Sequence, residues 1–381
     1  MTSTVATNDS GEQTSTGLFD ADGHVMEDVR GIVEKMDEPW RSMRLRHLDN
    51  ELFQLHGMSI FPPLGFLSTI PVGASPGLTS RAPEETGVNP ESWAYFLEKV
   101  GIERTVLYPT LGLTTGRLRD PDYAIAVTRA WNDWMAETYL QHPSGRFQSA
   151  ALLPLQVPEA AAEELRRAVT ELGFCSAVLP AHGLPNHLGS PVFHPVYEMA
   201  QELDVGLACH GGIHDGFGFD DFNVFAGVHA LGFPFSLLIS LSGMVFNGIF
   251  DRFPGLRVAY LEGGSAWILL AAERFSESFG STRPVEGPNV LTLPPGKSVR
   301  DYLKELMQND RIVLGCEGGE DHLATAINYF ECAPFMYSSD FPHEVSVETC
   351  KEELEELNEL PIDDEAKRRL RGGTARQFYK L

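Results

Sequence analysis

The chain is poor in basic residues and contains no basic run. Among its 381 residues, Lys and Arg number 29 while Asp and Glu number 53, so the formal net charge is −24. Binding to nucleic-acid phosphates or to anionic lipid headgroups depends on clustered positive charge. We therefore expect neither a nucleic acid nor a membrane surface as the partner.

Cysteine is also scarce, and its spacing excludes two kinds of structural site. The five cysteines are an odd number, and no Cys-x-x-Cys pair occurs. A disulfide framework uses an even set, and a zinc ribbon uses paired cysteines. Reduced thiols in a cytoplasmic protein are the simplest interpretation.

The N-terminal residues lack the features of a secretory signal. Residues 1–16 are mostly small and polar, without a positive region followed by an apolar one. We expect a disordered leader here and one domain over residues 17–381. The stretch from Leu231 to Phe250 is apolar and about as long as a membrane span, but it includes proline, glycine and serine. A buried helix or a subunit interface is the favoured interpretation.

Short apolar runs alternate with amphipathic helical patterns along the rest of the chain. Strands that are buried on both faces have this continuous apolar character. The alternation predicts an α/β fold, a (β/α)8 TIM barrel, with an open doubly wound sheet as the alternative. No Gly-x-Gly-x-x-Gly follows the first strand, which argues against dinucleotide binding. The predicted strands are Leu18–Val25, Arg104–Tyr108, Phe147–Leu153, Ser176–Pro180, Val205–His210, Arg257–Glu262, Arg311–Glu317 and Phe335–Asp340.

Two segments interrupt the alternation. Residues 49–98 form a long insertion after the first strand that is apolar yet rich in proline and glycine. It is predicted to form a lid over the barrel mouth or to pack on a second subunit. The second segment, Gly211–Phe233, is rich in glycine, phenylalanine and aspartate. Phenylalanines in both segments offer flat apolar walls for a substrate, with core packing as the alternative.

Carboxylate and imidazole side chains lie at the ends of several predicted strands. Period-two alternation points Asp20, Asp22 and His24 to one face of the first strand. His210 ends the fifth strand and Asp340 ends the eighth. Each has an ordinary structural explanation alone, such as a turn, a core histidine or a helix cap. Because strand ends of a parallel barrel meet at one rim, together they predict one divalent cation held by Asp22, His24, His210 and Asp340.

Several segments, in this order along the chain, are specific in combination: FDADGHVMED, YAIAVTRAWNDWMAE, RFQSAALLPLQVPEAAAEEL, PVYEMAQELDVGLACHGG, DRFPGLRVAYLEGGSAWI and MYSSDFPHE. Through them the chain resembles the metal-dependent hydrolase and decarboxylase branch of the amidohydrolase superfamily, the group related to aminocarboxymuconate-semialdehyde decarboxylase. The resemblance extends from about Phe19 to the C terminus. It implies a (β/α)8 barrel, one divalent ion and a homodimer, and it assigns metal binding to the same four positions.

Two positions depart from the family pattern. Asp22 stands where the best-known members carry histidine, and an oxygen donor lets Mn²⁺ or Fe²⁺ compete better with Zn²⁺. Glu262 stands where family decarboxylases carry a catalytic histidine, and an ionised glutamate would act as a base or a ligand. The fourth strand ends without the lysine of binuclear relatives, which favours a single ion.

Several other residues are candidates for the site. His182 and His214 are further catalytic candidates, with a plain loop position as the alternative for each. His343 and Glu317 are expected to support the metal ligands through hydrogen bonds. Like Glu262, all of them lie at the end of a predicted strand or shortly after one.

The expected function is metal-dependent decarboxylation or carbon–carbon hydrolysis of a small carboxylated substrate that is cyclic, aromatic or conjugated. The family resemblance favours this chemistry. Glu262 in place of histidine favours the alternative, hydrolysis of an amide, an ester or a lactone. A barrel that binds a ligand without turnover is the third interpretation.

Overall fold

Eight parallel strands form the centre of the fold. The structure, a computed structural model, describes residues 17–45, 88–214, 216–282, 287–343 and 345–381. Neighbours in sequence are neighbours in the sheet, in the order β1 to β8. The strands are β1 (Leu18–Val25), β2 (Ile102–Pro109), β3 (Phe147–Ala151), β4 (Ser176–Pro180), β5 (Gly206–His210), β6 (Val258–Leu261), β7 (Ile312–Cys316) and β8 (Phe335–Tyr337).

Main-chain hydrogen bonds between the first strand and the segment just after the eighth strand close the barrel. The His24 N–H donates to the Phe341 carbonyl at 2.7 Å, and the Asp340 N–H donates to the Asp22 carbonyl at 2.9 Å. The (β/α)8 barrel is therefore confirmed, and the open doubly wound alternative is wrong. Because three of these residues are predicted ligands, barrel closure and the site depend on the same segments.

Helices follow the strands and cover the outside of the barrel. The α-helix after β2 begins at Pro121, where the Asp120 carboxylate caps it by accepting the Tyr123 N–H at 2.9 Å. The helices are α1 (Val29–Glu34), α2 (Trp40–Leu45), α3 (Pro90–Val100), α4 (Pro121–Met135), α5 (Pro158–Arg167), α6 (His194–Glu202), α7 (Phe225–Phe246), α8 (Ile249–Arg252), α9 (Ala266–Ser281), α10 (Val299–Gln308), α11 (Leu323–Phe330), α12 (Val347–Glu359), α13 (Asp364–Arg368) and α14 (Thr374–Tyr379).

The first strand contains a bulge that changes where its acidic residues point. Asp20 pairs with Thr105 of β2 whereas Gly23 pairs with Leu107, so β1 holds one extra residue between these pairs. The simple alternation expected from the sequence is interrupted there. The Asp20 carboxylate accepts the Thr105 hydroxyl at 2.6 Å and the Ser339 N–H at 2.8 Å. Asp20 therefore joins β1 to its two neighbours and does not enter the metal centre.

Two predicted segments lie wholly or partly outside the described residues. The leader 1–16 is outside them, as is the predicted lid up to residue 87, while residues 90–98 of that prediction belong to α3. The apolar stretch from Leu231 to Phe250 is divided between α7, which ends at Phe246, and the start of α8. By length and composition alone, α7 could cross a membrane. Core helices of soluble proteins pass the same test, and Leu237 and Leu241 of α7 are fully buried.

Candidate metal centre

Side chains from β1, from β5 and from the loop after β8 meet at the C-terminal rim of the barrel. The His24 Nε2 atom is 3.6 Å from Asp22 Oδ1 and 3.4 Å from Asp340 Oδ1. The His210 Nε2 atom is 3.5 Å from the same Asp22 oxygen. The four predicted ligands are thus neighbours, and the donor atoms of Asp22, His24 and His210 lie within 4.8 Å of one another.

Backbone carbonyls fix the orientation of both histidine rings. The His24 Nδ1 atom is 2.9 Å from the Pro109 carbonyl, and the His210 Nδ1 atom is 2.6 Å from the Gly211 carbonyl. Because a carbonyl oxygen can only accept, each Nδ1 carries the hydrogen in the neutral ring. The Nε2 lone pair of each ring then points toward Asp22, as a metal ligand requires.

The donor set fits one divalent cation. Asp22 Oδ1, His24 Nε2 and His210 Nε2 are buried, and none has a hydrogen-bond partner within the described part of the chain. Burial of three such atoms without partners is unfavourable, and one cation would satisfy them together. Ligand atoms about 2.1 Å from a shared tetrahedral ion lie about 3.4 Å apart. The observed spacings of 3.4 to 3.6 Å agree with that geometry.

Burial and neighbouring charges also shift the protonation of these groups. Burial, followed by the nearby His343 and His210, holds the pKa of His24 well below its usual value, so this ring is a neutral donor. Burial opposes the protonation of His210, but the Asp22 and Asp340 carboxylates outweigh it and raise the pKa of His210. Burial raises the pKa of Asp22. A proton on His210 therefore supplies positive charge beside the Asp22 carboxylate, where a bound cation would also supply it.

Asp340 differs from the other donors in its backbone and its exposure. Its φ of 53° lies in the left-handed region, which non-glycine residues seldom adopt. Its side chain is 19% exposed, whereas those of Asp22, His24 and His210 are at most 1% exposed. The His343 Nδ1 atom lies 3.1 Å from Asp340 Oδ1, as expected for a supporting histidine. Asp340 is thus the donor that faces the mouth of the barrel.

Comparison with known proteins shows the family of the chain. The sequence profile of the amidohydrolase family matches residues 112–381. The chain belongs to the amidohydrolase family. It is 23% identical over 272 residues to a 2-amino-3-carboxymuconate-6-semialdehyde decarboxylase of Dictyostelium discoideum, covering 71% of each chain. It is 24% identical over 308 residues to a gamma-resorcylate decarboxylase of a Polaromonas species, covering 75% of this chain and 85% of that one.

A solved structure shares the fold of this amidohydrolase. A 5-carboxyvanillate decarboxylase of Novosphingobium aromaticivorans, crystallised with manganese and 4-hydroxy-3-methoxy-5-nitrobenzoic acid, superposes with a TM-score of 0.65. Identity is 18%, and 96% of each chain is covered. At this identity the likeness establishes the fold, and the barrel assignment rests on it as well as on the strand order.

Glu262 of this amidohydrolase lies behind His210 and outside the set of donor atoms. It directly follows β6 with a φ of 62°, again in the left-handed region. Its Oε2 atom is 3.5 Å from His210 Nδ1, the ring nitrogen that faces away from Asp22. A carboxylate placed behind a metal-binding histidine typically orients the ring and raises its basicity. The geometry therefore separates Glu262 from the position that a direct ligand would occupy.

His182 and His214 lie on the loops after β4 and β5 and are not among the clustered donors. The His182 ring centroid is 4.0 Å from that of Phe217, and the His214 centroid is 4.4 Å from that of Phe233. Burial, followed by His229 and His182, lowers the pKa of His214 to about 4. The predicted roles of His182 and His214 stay predictions.

Glu317 is also outside the donor set, and its neighbour Glu320 has a clear structural role. Glu320 accepts the Ser265 N–H at 2.5 Å and the Glu317 N–H at 2.9 Å, which joins the loops after β6 and β7. Desolvation, followed by the Asp340 and Glu320 carboxylates, raises the pKa of Glu317 to about 8. Among the described residues, no hydrogen bond joins Glu317 to any of the four predicted ligands, and its predicted supporting role stays a prediction.

Glu27 and Thr110, which the sequence pattern did not indicate, lie next to the metal centre without being among its ligands. Glu27 accepts three backbone N–H groups of the loop after β2, and the Thr110 hydroxyl is 2.9 Å from His343 Nε2. Both residues follow a strand closely, as the predicted site residues do. Their hydrogen-bond partners, however, are backbone groups and a histidine distant in sequence. The local sequence pattern therefore gave no reason to select them.

Proposed function

We propose that this chain is a decarboxylase that uses one divalent cation, held by Asp22, His24, His210 and Asp340, to act on small aromatic or conjugated carboxylates. The observation that carries the proposal is the set of three buried donor atoms without hydrogen-bond partners at the barrel rim. The decarboxylase names of the two relatives support the reaction type.

The roles of the chain's residues follow from their positions. When bound, the cation supplies positive charge that can bind the substrate carboxylate and a neighbouring oxygen. His24, His210 and Asp22 are buried donors and serve to hold it. Asp340, partly exposed and hydrogen bonded by His343, is the group placed to contact the substrate. The carbon–carbon bond breaks, carbon dioxide leaves and the carbon receives a proton, and we assign the delivery of this proton to the Asp340–His343 pair at the rim.

We propose that aromatic side chains of the loop after β5 form a wall that suits a flat substrate. Phe217 lies against His182, and it packs with Phe219 and Phe222 in the loop after β5. We assign substrate-facing roles to His182 and His214 at this side of the mouth. Aromatic rings and imidazoles provide flat surfaces that stack on a planar ring.

The donor set favours manganese or iron, with zinc as the competitor. Two carboxylate oxygens beside two imidazole nitrogens form a harder site than one made of nitrogen or sulfur alone. The related 5-carboxyvanillate decarboxylase was crystallised with manganese, which supports the same preference here.

Hydrolysis of an amide, ester or lactone is the weaker candidate. It depended on Glu262 acting as a base for water, and Glu262 lies on the Nδ1 side of His210, away from Asp22. We propose instead that Glu262 orients His210.

We also propose that the protein is a cytoplasmic homodimer. Phe235 and Ile239 of α7 and Leu270 of α9 are large apolar side chains that are 41%, 48% and 48% exposed. Adjacent exposed apolar groups support self-association. Light scattering coupled to size-exclusion chromatography would give twice the chain mass if the proposal is correct.

Release of carbon dioxide from a panel of hydroxylated aromatic carboxylates tests the proposed reaction. The Mn²⁺-loaded protein should release carbon dioxide from at least one member, and Asp340→Asn should reduce the rate at least about 100-fold. His322→Ala, which changes an exposed residue before α11, is the control and should retain the rate. Hydrolysis of esters or lactones without carbon dioxide release would establish the alternative, and neither activity in a metal-loaded protein would indicate a ligand-binding barrel.

A further inference from the structure

The end of β2 and the residue after it provide none of the four proposed ligands, yet they contact one ligand, His24, and the histidine beside another, His343. The Pro109 carbonyl lies 2.9 Å from His24 Nδ1. The next residue, Thr110, places its hydroxyl 2.9 Å from His343 Nε2, and His343 Nδ1 lies 3.1 Å from Asp340 Oδ1. Pro109 thus orients the ligand His24 directly, and Thr110 orients the ligand Asp340 through His343.

Glu27 fixes this strand end. One carboxylate oxygen accepts the Thr110 N–H at 3.0 Å and the Gly112 N–H at 2.9 Å, and the other accepts the Leu111 N–H at 3.0 Å. These groups belong to the start of a 3-10 helix over Leu111–Arg117, where backbone N–H groups have no partner inside the helix. Bonds from several N–H groups to one carboxylate are strong and directional.

The Thr110 side chain does not cap this 3-10 helix, although threonine often does so. Glu27 takes over the capping role, and the Thr110 hydroxyl is directed at His343 instead. Because the Asp340 carboxylate can only accept from an imidazole N–H, His343 carries hydrogen on Nδ1. In the neutral ring the Thr110 hydroxyl then donates to Nε2, which fixes the ring in one orientation.

We propose that Glu27 and Thr110 are positioning residues of the metal centre, which hold His24 through Pro109 and Asp340 through His343. This proposal rests on the proposed metal site, and it concerns the residues that hold two of the metal ligands in position. Metal ligands bind well only when their own partners fix them, and loss of such a partner typically lowers metal affinity or activity by about 10- to 100-fold. A role confined to stabilising the loop would instead lower stability and leave metal affinity unchanged.

Thr110→Val tests the proposal because it removes the hydroxyl and keeps the branched shape. Metal-free protein is titrated with Mn²⁺ alone by calorimetry, and the melting temperature is recorded in parallel. Thr110→Val should weaken Mn²⁺ binding about tenfold, while Thr110→Ser, which restores a hydroxyl, should stay within about twofold of the wild type. Thr170→Val is the matched control, because the Thr170 hydroxyl bonds only to the Arg166 carbonyl on the exposed helical layer.

A double-mutant cycle keeps the test valid if the valine variant loses stability. His343→Gln should weaken Mn²⁺ binding alone, and adding Thr110→Val to it should have little further effect, since both act through one hydrogen-bonded path. Glu27→Gln should weaken binding about tenfold because one N–H loses its acceptor. Glu34→Gln, an exposed change on α1, is its control and should have no effect.

The outcomes separate this inference from the proposed function. Wild-type protein that binds Mn²⁺ and releases carbon dioxide, with Thr110→Val and Glu27→Gln binding Mn²⁺ equally well, would overturn the positioning roles alone. Additive effects in the double-mutant cycle would also overturn the path through His343. Wild-type protein that binds no divalent ion would overturn both the positioning roles and the metal site.

Discussion

At the scale of single residues, the centre depends on which nitrogen of each histidine is free. The sequence predicts His24 and His210 as ligands because they lie at the ends of predicted strands. It could not identify the donor nitrogen, since that choice depends on the Pro109 and Gly211 carbonyls. Pro109 lies 85 residues from His24, so no local pattern contains this information. Residue identity was therefore predictable, and ring orientation was not.

The left-handed backbone of Glu262 gives a prediction about stability and binding. A residue with a Cβ atom in this conformation costs about 1 kcal/mol relative to glycine. In metal-free protein we expect Glu262→Gly to be more stable than Glu262→Ala by about that amount in urea unfolding, because both variants lose the same carboxylate. Both should bind Mn²⁺ about tenfold more weakly than the wild type. Equal stability of the two variants would contradict the strain, and unchanged affinity would contradict the orienting role.

At the scale of elements, Gly23 is required by the bulge in β1. A Cβ atom at this position would lie 2.3 Å from Trp93 Cη2 and 3.0 Å from Asp20 Oδ2. We expect Gly23→Ala to lower the free energy of unfolding by roughly 1–3 kcal/mol, because the surrounding barrel is tightly packed. Gly280→Ala is the control, since nothing lies within 4 Å of a Cβ there. It should stabilise the end of α9 by about 0.5 kcal/mol in the same denaturation experiment.

A second element, α12, carries a carboxyl group whose titration should be measurable. Burial, followed by Glu356 and Asp340, raises the pKa of Glu353 from its ordinary value of 4.5 to about 7. The folded state therefore holds more protons than the unfolded state between these values, so stability falls as pH rises through this window. Glu353→Gln removes that loss. We expect it to match the wild type near pH 4 and to be more stable near pH 8 by on the order of 1 kcal/mol, allowing for partial exposure.

The control for this pH dependence is Glu352→Gln, which removes the same charge from an exposed position of α12. Its stability relative to the wild type should be the same at both pH values. A constant difference between Glu353→Gln and the wild type across the pH range would show that the Glu353 carboxyl titrates normally.

The strands were predictable from the sequence, whereas the details that shape the site were not. Strands such as β4 and β7 are buried at every residue, so their apolar runs mark them clearly. Predicted strands that continued to Glu262, Glu317 and Asp340 were too long, because the chain there turns into loops, in a left-handed conformation at Glu262 and Asp340. The close approach of Gly23 in β1 to Trp93 was not predictable either, because Trp93 lies in another element.

At the scale of the whole molecule, the proposed cation connects distant parts of the barrel. Its donors come from β1, from β5 and from the loop that closes the barrel after β8. A ligand that binds only the folded state stabilises it by about 2.7 kcal/mol when present at 100 times its Kd. We therefore expect chelation to lower the melting temperature by a few degrees. The same chelator should have no effect on His210→Ala, and an equal decrease in that variant would contradict the connection.

The most direct test of the central claim is the metal content of the purified chain after loading with Mn²⁺ and removal of free ions, measured by plasma mass spectrometry. We expect one ion per chain in the wild type and in the exposed-residue control His322→Ala, and almost none in His24→Ala or His210→Ala. One ion per chain retained by both of these histidine variants, or none bound by the wild type at millimolar Mn²⁺, would contradict it.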